Sequence, residues 1–231
     1  MDVQEAMTQL EAMGTEQNRK IFPRHGARPP IFGVSYANLG KLKKQIKTDH
    51  ELALALWDTG NHDARILATM IFDPRRVDDK MLDHWAAAVD NKMLADAFTN
   101  VAAAAPNVQA NMARWIDADH EWLESVGWGL LSHLANNEPA LPDSFFEPYI
   151  ARIEREIHGA KNWVRYAMNF TLIAIGSRND ALQAVATAAA ERIGKVHVDH
   201  GQTGCKTPDA ASYIRKTREH RAAKAAKAAR A

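Results

Sequence analysis

One segment of the sequence, residues 197–205, combines histidine, aspartate and cysteine, which are side chains that often bind metal ions. Its first four residues read His197-Val-Asp199-His200, and this spacing matches no standard zinc pattern. Cys205 is the only cysteine of the chain, which excludes an internal disulfide and a zinc site made of cysteines alone. We therefore interpret the segment as a packed turn, and predict that the protein holds no metal and needs no cofactor.

Several lysines and arginines are placed where they could bind an anion. Lys41, Lys44 and Lys47 recur at i, i+3 and i+6 in one predicted helix and would share a charged face. Arg65 and Arg165 each lie in the first turns of a predicted helix, where the helix dipole disfavours a positive charge. Both arginines are therefore candidates for holding an anion. An ordinary surface salt bridge is the alternative explanation.

The charge is unevenly distributed along the 231 residues, although the net charge is only +1. Residues 19–47 carry eight lysines and arginines and no acid, and residues 206–231 carry eight against two acids. Residues 48–205 sum to −9. An acidic body with two basic ends suggests a polyanionic partner that is gripped by the ends. The last residues alternate basic side chains with alanine, which favours a helix, while a solvated, frayed terminus is the alternative.

Apolar side chains recur with helical spacing along the chain, and the alternation of a β-strand is absent. Residues 51–98 predict four short helices, the second of them capped by Asn61. Helices this short are unstable alone in water, so they must stack on neighbours. The Trp-Leu-Glu-Ser at residue 122 and the Trp-Val-Arg-Tyr at residue 163 open comparable helices 41 residues apart, close to the length of a HEAT repeat.

The predicted fold class is therefore all-α, a HEAT-like helical-repeat solenoid (an α-α superhelix) with a basic C-terminal tail. We expect roughly ten to twelve helices. Residues 2–18 are expected to form one amphipathic helix, and residues 38–47 a basic one. The expected domains are a repeat domain over residues 1–205, whose first 48 residues are N-terminal helices with a basic segment, and a flexible or helical tail over residues 206–231. No apolar run is long enough to cross a bilayer, so we expect a cytoplasmic protein.

The sequence also contains recognisable motifs. The first half includes the stretches PIFGVSYANLGKLKKQIK, LALALWDTGNHDARILATMI and HWAAAVDNKMLADAF, and the end includes VDHGQTGCKTPDAASYI. These stretches resemble the DNA alkylation repair family, and the last resembles a subgroup of it. The resemblance covers roughly residues 30 to 215 and is looser between residues 106 and 146.

The resemblance implies HEAT-like repeats that form a concave face for double-stranded DNA, and excision of cationic N3- and N7-alkylated purines without a metal. An N7-alkylated guanine already carries a positive charge, so it can leave as a neutral base without a strong general acid. The transition state needs a carboxylate near C1′ to stabilise the oxocarbenium ion, and a water to attack it. Aromatic faces near the sugar can also stabilise a cationic centre.

Matching the family's Trp-Trp-x-x-Val-Asp segment to this sequence makes Asp90 the catalytic carboxylate and Trp85 the first tryptophan. Phe170 stands where the family has a further site aromatic. Two residue-level alternatives remain open. Asp90 precedes a predicted helix and could be its N-cap, and Trp85 lies on an apolar stripe and could be a core residue.

Besides the change from tryptophan to phenylalanine at Phe170, the sequence departs from the family pattern at three positions. Ala86 replaces the second tryptophan, and the family's arginine pair falls on Glu124 and Ser125. These departures favour a non-catalytic relative that binds damaged or branched DNA as an alternative to a glycosylase. A protein-binding HEAT scaffold is a further alternative, because the middle of the chain is acidic and solenoids often bind proteins.

We predict a DNA-binding HEAT-repeat protein of alkylation repair, and, if it is an enzyme, one that hydrolyses the N-glycosidic bond of cationic alkylpurines. Asp90 and Trp85 are its predicted catalytic residues. The predicted DNA-binding residues are Lys41, Lys44, Lys47, Arg65, Arg165 and Phe170. The predicted partner is double-stranded DNA, alkylated or branched, bound by a monomer that has no membrane partner.

Overall fold

The computed structural model describes residues 1–228, which form thirteen α-helices and two short 3-10 helices. They divide into two compact units: Met1–Asn111 with His200–Gly204, and Met112–Asp199 with the described residues from Cys205 onward. The described part of the chain contains no β-strand, only an isolated bridge between Gly14 and Val34.

The helices of the first unit are short, seven of them lying wholly within it, and they follow one another closely. They are α1 (Val3–Met13), α2 (Glu16–Ile21), α3 (Tyr36–Ile46), α4 (His50–Asp58), α5 (His62–Ile71), α6 (Asp79–Ala86) and α7 (Lys92–Ala102). The boundary between the units falls within α8 (Val108–Ile116). The 3-10 helices are Phe22–His25 and Pro74–Arg76.

The second unit contains longer helices. They are α9 (Glu121–Asn137), α10 (Asp143–Glu156), α11 (Asn162–Gly176), α12 (Asp180–Ile193) and α13 (Ala210–Ala228). Helices α9 and α11 pack closely along their length, and Thr171 of α11 donates its hydroxyl hydrogen to the Trp128 carbonyl of α9 at 2.7 Å. In α9, a Cβ on Gly127 would lie 2.4 Å from the Ile116 backbone nitrogen, so the glycine is what permits the close approach of α8.

Side-chain caps fix where nine of the described α-helices begin. Each cap accepts a hydrogen bond from a backbone N–H of the first helical turn, which would otherwise have no partner. The capping residues are Asp2, Thr15, Ser35, Asp49, Asn61, Asp78, Asn91, Asn179 and Asp209. The predicted cap at Asn61 is confirmed, with the side chain accepting from Asp63 N and Ala64 N.

The prediction of a single helix over residues 2–18 is wrong. Helix α1 ends at Met13, and Thr15 caps a second helix, α2. Gly14 lies between them, and a Cβ there would come 2.1 Å from the Phe32 carbonyl oxygen. The tight approach of residues 32–34 therefore breaks the helix, and α2 is the extra helix that raises the count above the ten to twelve expected.

The basic C-terminal segment, for which the sequence left a helix and a solvated end as alternatives, is helical from Ala210 to Ala228. Ala210, Ala211 and Ile214 are buried, and α13 packs on α11 and α12. Arg221 donates to the Ser177 carbonyl at 2.9 Å and to Asn136 Oδ1 at 2.7 Å. Arg230 lies outside the described residues.

Each unit has its own aromatic core. In the first unit, Trp57 of α4 stacks flat on Trp85 of α6, with ring centroids 4.2 Å apart and planes inclined by 4°. Phe98 of α7 completes this cluster at 6.5 Å from Trp57. In the second unit, Trp128 and Phe146 are fully buried. The stripes of apolar residues that predicted these helices thus meet in two cores.

Candidate nucleic-acid interface

Asp90 lies in the turn between α6 and α7, and it is not the N-cap of α7. The cap is Asn91, whose Oδ1 accepts from Leu94 N at 3.1 Å and whose Nδ2 donates to Asp90 Oδ1 at 2.7 Å. The alternative in which Asp90 caps the helix is therefore wrong. Its side chain is 36% exposed, and Oδ2 lies 3.7 Å from Arg28 Nε. This accessible carboxylate could face a cationic centre of a ligand.

Trp85 is a core residue in this structure. Its exposed fraction is 0%, and Trp57 covers one face of the indole. Ala86, which stands at the position of the family's second tryptophan, is buried as well. The structure thus shows Trp85 as a core residue, which is the alternative that its place on an apolar stripe predicted. In this conformation the indole has no surface with which to contact DNA.

Two neighbouring residues at the start of α5, which no sequence pattern singles out, organise the chain near Asp90. The buried Asp63 carboxylate accepts three backbone N–H groups of residues 32–34, at 2.7, 3.1 and 2.7 Å. His62 donates its backbone N–H to the Pro30 carbonyl at 2.9 Å. The segment that follows Arg28 is therefore held on the N-terminus of α5 by Asp63 and by the backbone of His62.

The His62 ring is buried, and neither of its nitrogens has a hydrogen-bond partner in the described part of the chain. Burial lowers the pKa of the His62 imidazole below its ordinary value, although the nearby Asp63 and Asp90 carboxylates act in the opposite direction. Phe22 meets the ring edge to face at 6.3 Å. His62 is therefore held neutral in an apolar setting.

The lysines of α3 lie at the surface. Lys41 and Lys44 are exposed, and Lys41 Nζ donates to Asn38 Oδ1 at 3.0 Å. Neither makes an ion pair with any described residue, so both are available to an anion. Lys47 does not continue this face, because the helix ends at Ile46 and Lys47 has a positive φ of 66°. The predicted i, i+3, i+6 face therefore contains two lysines, with Lys47 beyond the helix end.

Arg65 and Arg165 are held by main-chain carbonyls. Arg65 Nε donates to the Trp57 carbonyl at 3.2 Å, and its guanidinium lies 5.5 Å from the centre of the Trp57 ring. Arg165 donates to the His197 carbonyl at 2.6 Å and to the Ala160 carbonyl at 2.9 Å. These carbonyl acceptors explain why the two arginines stand in a first helical turn. Neither a bound anion nor a salt bridge to a carboxylate is needed to explain it.

The positions that match the family's arginine pair carry no cation. Glu124 is partly buried, and burial raises the pKa of its carboxyl above the ordinary value, although Lys161 at 3.6 Å opposes the rise. The Ser125 hydroxyl donates to the Trp122 carbonyl of its own helix at 2.7 Å. A phosphate would thus meet a carboxylate and a turned-in hydroxyl here, beside the positive charge of Lys161.

Phe170 is half-buried on α11, with its ring 4.7 Å from that of Tyr166 and 6.4 Å from that of Tyr213. Asp90 belongs to the first compact unit and Phe170 to the second. Their joint participation in one site remains a prediction.

Within residues 1–228, no three His, Cys, Asp or Glu side chains are grouped to hold a metal ion. No described helix is long and apolar enough to span a membrane.

These elements define an all-α protein of the HEAT-like repeat class, as the sequence predicts. A solved structure matches with a TM-score of 0.86 over 95% of each chain at 28% identity, and is described as a new family of proteins related to the HEAT-like repeat DNA glycosylases with affinity for branched DNA structures. The model of the DNA alkylation repair enzyme family matches residues 6–214. The chain belongs to the DNA alkylation repair family.

Two bacterial relatives extend this similarity. The uncharacterized protein Lin0241 of Listeria innocua serovar 6a is 30% identical over 217 residues, which cover 91% of this chain and 95% of the relative. The uncharacterized protein Lmo0209 of Listeria monocytogenes serovar 1/2a matches to the same extent. The similarity therefore extends over nearly the full length of both relatives.

Proposed function

We propose that the protein binds DNA and recognises branched structures, without depending on the full set of glycosylase residues of its family. The observation that carries the proposal is its likeness, over 95% of both chains, to a protein described as having affinity for branched DNA structures. The two basic ends of the chain supply the electrostatic attraction that such a partner requires.

The site residues support binding better than they support base excision. A glycosylase would use an aromatic face and a phosphate-binding cation beside its carboxylate. Here Trp85 is buried against Trp57, Ala86 offers no ring, and Glu124 occupies the position of one arginine of the family's pair. The Asp90 carboxylate is partly exposed, and Lys41, Lys44 and Lys47 are exposed.

The proposal is tested by measuring fluorescence anisotropy of a labelled three-way junction and of a linear duplex of the same composition, each over a range of salt concentrations. We expect tighter binding to the junction and a steep loss of affinity for both DNAs as salt rises, because phosphate contacts release counterions. Equal affinity for the two DNAs would contradict structure-selective binding. Affinity for neither would favour the protein-binding scaffold.

A second candidate function, excision of cationic alkylpurines, is favoured by one observation: Asp90 is partly exposed and is not used as a helix cap. The test is release of 7-methylguanine from methylated DNA by the wild type and by Asp90→Asn. Under this candidate the wild type releases the base, and the variant is slower by about two or more orders of magnitude, as for loss of one electrostatic stabiliser. Equal release by the two proteins would remove Asp90 from the chemistry.

A further inference from the structure

Five aromatic side chains form a continuous row in the second compact unit. Trp163, Tyr166 and Phe170 occupy positions i, i+3 and i+7 of α11, which places them on one helical face. Trp122 of α9 extends the row at one end and Tyr213 of α13 at the other. Successive ring centroids are 6.5, 5.7, 4.7 and 6.4 Å apart, within the range of aromatic contact.

The row is at the surface and is not part of the core. Trp122, Trp163, Tyr166 and Phe170 are half-buried, whereas Trp128 of the same unit is fully buried. Tyr213 is 43% exposed, and in the described part of the chain only two other large apolar side chains are exposed. Aromatic rings that reach the surface in a row are typical of interaction sites.

Charges of both signs lie near the Tyr213 end of the row, because Asp209 precedes Tyr213 by four positions and its carboxylate accepts from Ser212 N at 2.8 Å. Lys216 follows Tyr213 by three positions on α13, is exposed, and makes no ion pair with a described residue. At the Trp122 end, Lys161 is neutralised by Asp119 at 2.9 Å and Glu124 at 3.6 Å. A ligand that fits this surface therefore presents flat rings along the row and a negative charge near Lys216.

We propose that the aromatic row (Trp122, Trp163, Tyr166, Phe170, Tyr213) stacks the unpaired bases that a branched DNA exposes, with Lys216 contacting an adjacent phosphate. This inference rests on the proposed function and names the feature of the branch that is recognised. A linear duplex keeps its bases stacked inside, so it cannot use the row. Stacking on aromatic side chains tolerates any sequence, since every base has a π face.

The test uses a three-way junction with a short single-stranded flap, and the same junction in which the flap bases are replaced by abasic residues. The abasic flap keeps every phosphate and removes only the rings. The wild type should bind the intact flap about 5- to 150-fold more tightly, which is the contribution expected from one stacked base.

Tyr213→Ala should lower the affinity for the intact flap and leave the affinity for the abasic flap unchanged. Because Tyr213 is exposed, this substitution does not open the core. Tyr213→Phe keeps the ring and should retain the wild-type preference. Tyr36→Ala, which removes an exposed tyrosine of the first unit, is the matched control and should also retain it. Tyr166→Ala, checked for folding by circular dichroism, should behave like Tyr213→Ala.

Equal affinity of the wild type for the intact and abasic flaps overturns the stacking proposal, even where the junction binds better than the duplex. The stacking proposal is also overturned if Tyr213→Ala and Tyr166→Ala both keep the full wild-type preference for the intact flap over the abasic flap. If the protein binds the junction more tightly than the duplex but binds the intact and abasic flaps equally, the proposed function stands and the aromatic row is not its site. Absence of binding to any of the DNAs removes both.

Discussion

Replacing Lys41 and Lys44 by glutamine removes two exposed positive charges from α3 and should weaken DNA binding in a salt-dependent manner. Both side chains are exposed, whereas Leu39 and Leu42 of the same helix are buried, so the double variant should fold normally. Neither lysine is paired with a carboxylate of the described residues. The whole of each charge is therefore available to a phosphate.

The size of the effect follows from counterion release. Each phosphate neutralised on B-DNA contributes about 0.9 to the slope of log affinity against log salt concentration. Loss of two contacts should flatten the slope by about 1.8, so that between about 50 and 200 mM salt the variant loses roughly 12-fold less affinity than the wild type. Anisotropy titrations of one duplex at several salt concentrations measure this slope directly.

The matched control is glutamine at Lys20 and Lys92, which removes the same two charges from the same unit. These lysines are paired with Glu16 and Asp96, so they are not free to bind phosphate. The control should keep the wild-type slope within about half a unit, less than the contribution of a single phosphate. Equal slopes for the Lys41/Lys44 variant and the wild type would refute the assignment of α3 to the DNA interface. Equal flattening by both variants would show that only net charge matters.

Three further predictions concern stability and the C-terminal helix. Asp63→Ala leaves three backbone N–H groups of residues 32–34 without their charged acceptor and should cost about 3–5 kcal/mol by urea unfolding, whereas the exposed control Asp96→Ala should cost under about 1 kcal/mol. Because the pKa of His62 is lowered in the folded protein, the unfolded chain takes up a proton that the folded chain excludes, and the free energy of unfolding should fall as the pH drops below about 6.5. His62→Gln should reduce that loss. Parallel stability profiles of the variant and the wild type against pH would contradict this role of His62. Deletion of residues 217–231 removes three hydrogen bonds that Arg218 and Arg221 make to the body, together with further basic side chains. It should both lower the melting temperature and flatten the salt slope, and an unchanged slope would mean that this segment makes no phosphate contact.

Much of the fold is predictable from local signals. The apolar stripes, the cap at Asn61 and the breaks at proline and glycine predict short stacked helices, because a helix face must be buried and its first N–H groups must be satisfied. The split between α1 and α2 is not predictable in this way. It depends on Gly14 meeting the Phe32 carbonyl, a contact between segments that no local pattern encodes.

The candidate site is less predictable than the fold. Arg65 and Arg165 stand in first helical turns, as an anion site would place them, but carbonyl groups that come from elsewhere in the fold accept their hydrogen bonds. Asp63 shows the reverse case, since an ordinary first-turn aspartate proves to hold three backbone groups of a distant segment. In both cases the deciding partner lies outside the helix itself, and only the folded chain identifies it.

Direct competition between two DNAs tests the central claim, selective binding of branched DNA. The protein is bound to a labelled three-way junction at physiological salt and challenged with unlabelled junction or with unlabelled linear duplex of the same length and base composition. We expect that the duplex must be added at about tenfold or higher concentration to displace the same fraction, a difference of about 1.4 kcal/mol. Displacement at equal concentrations of the two DNAs would contradict selective binding.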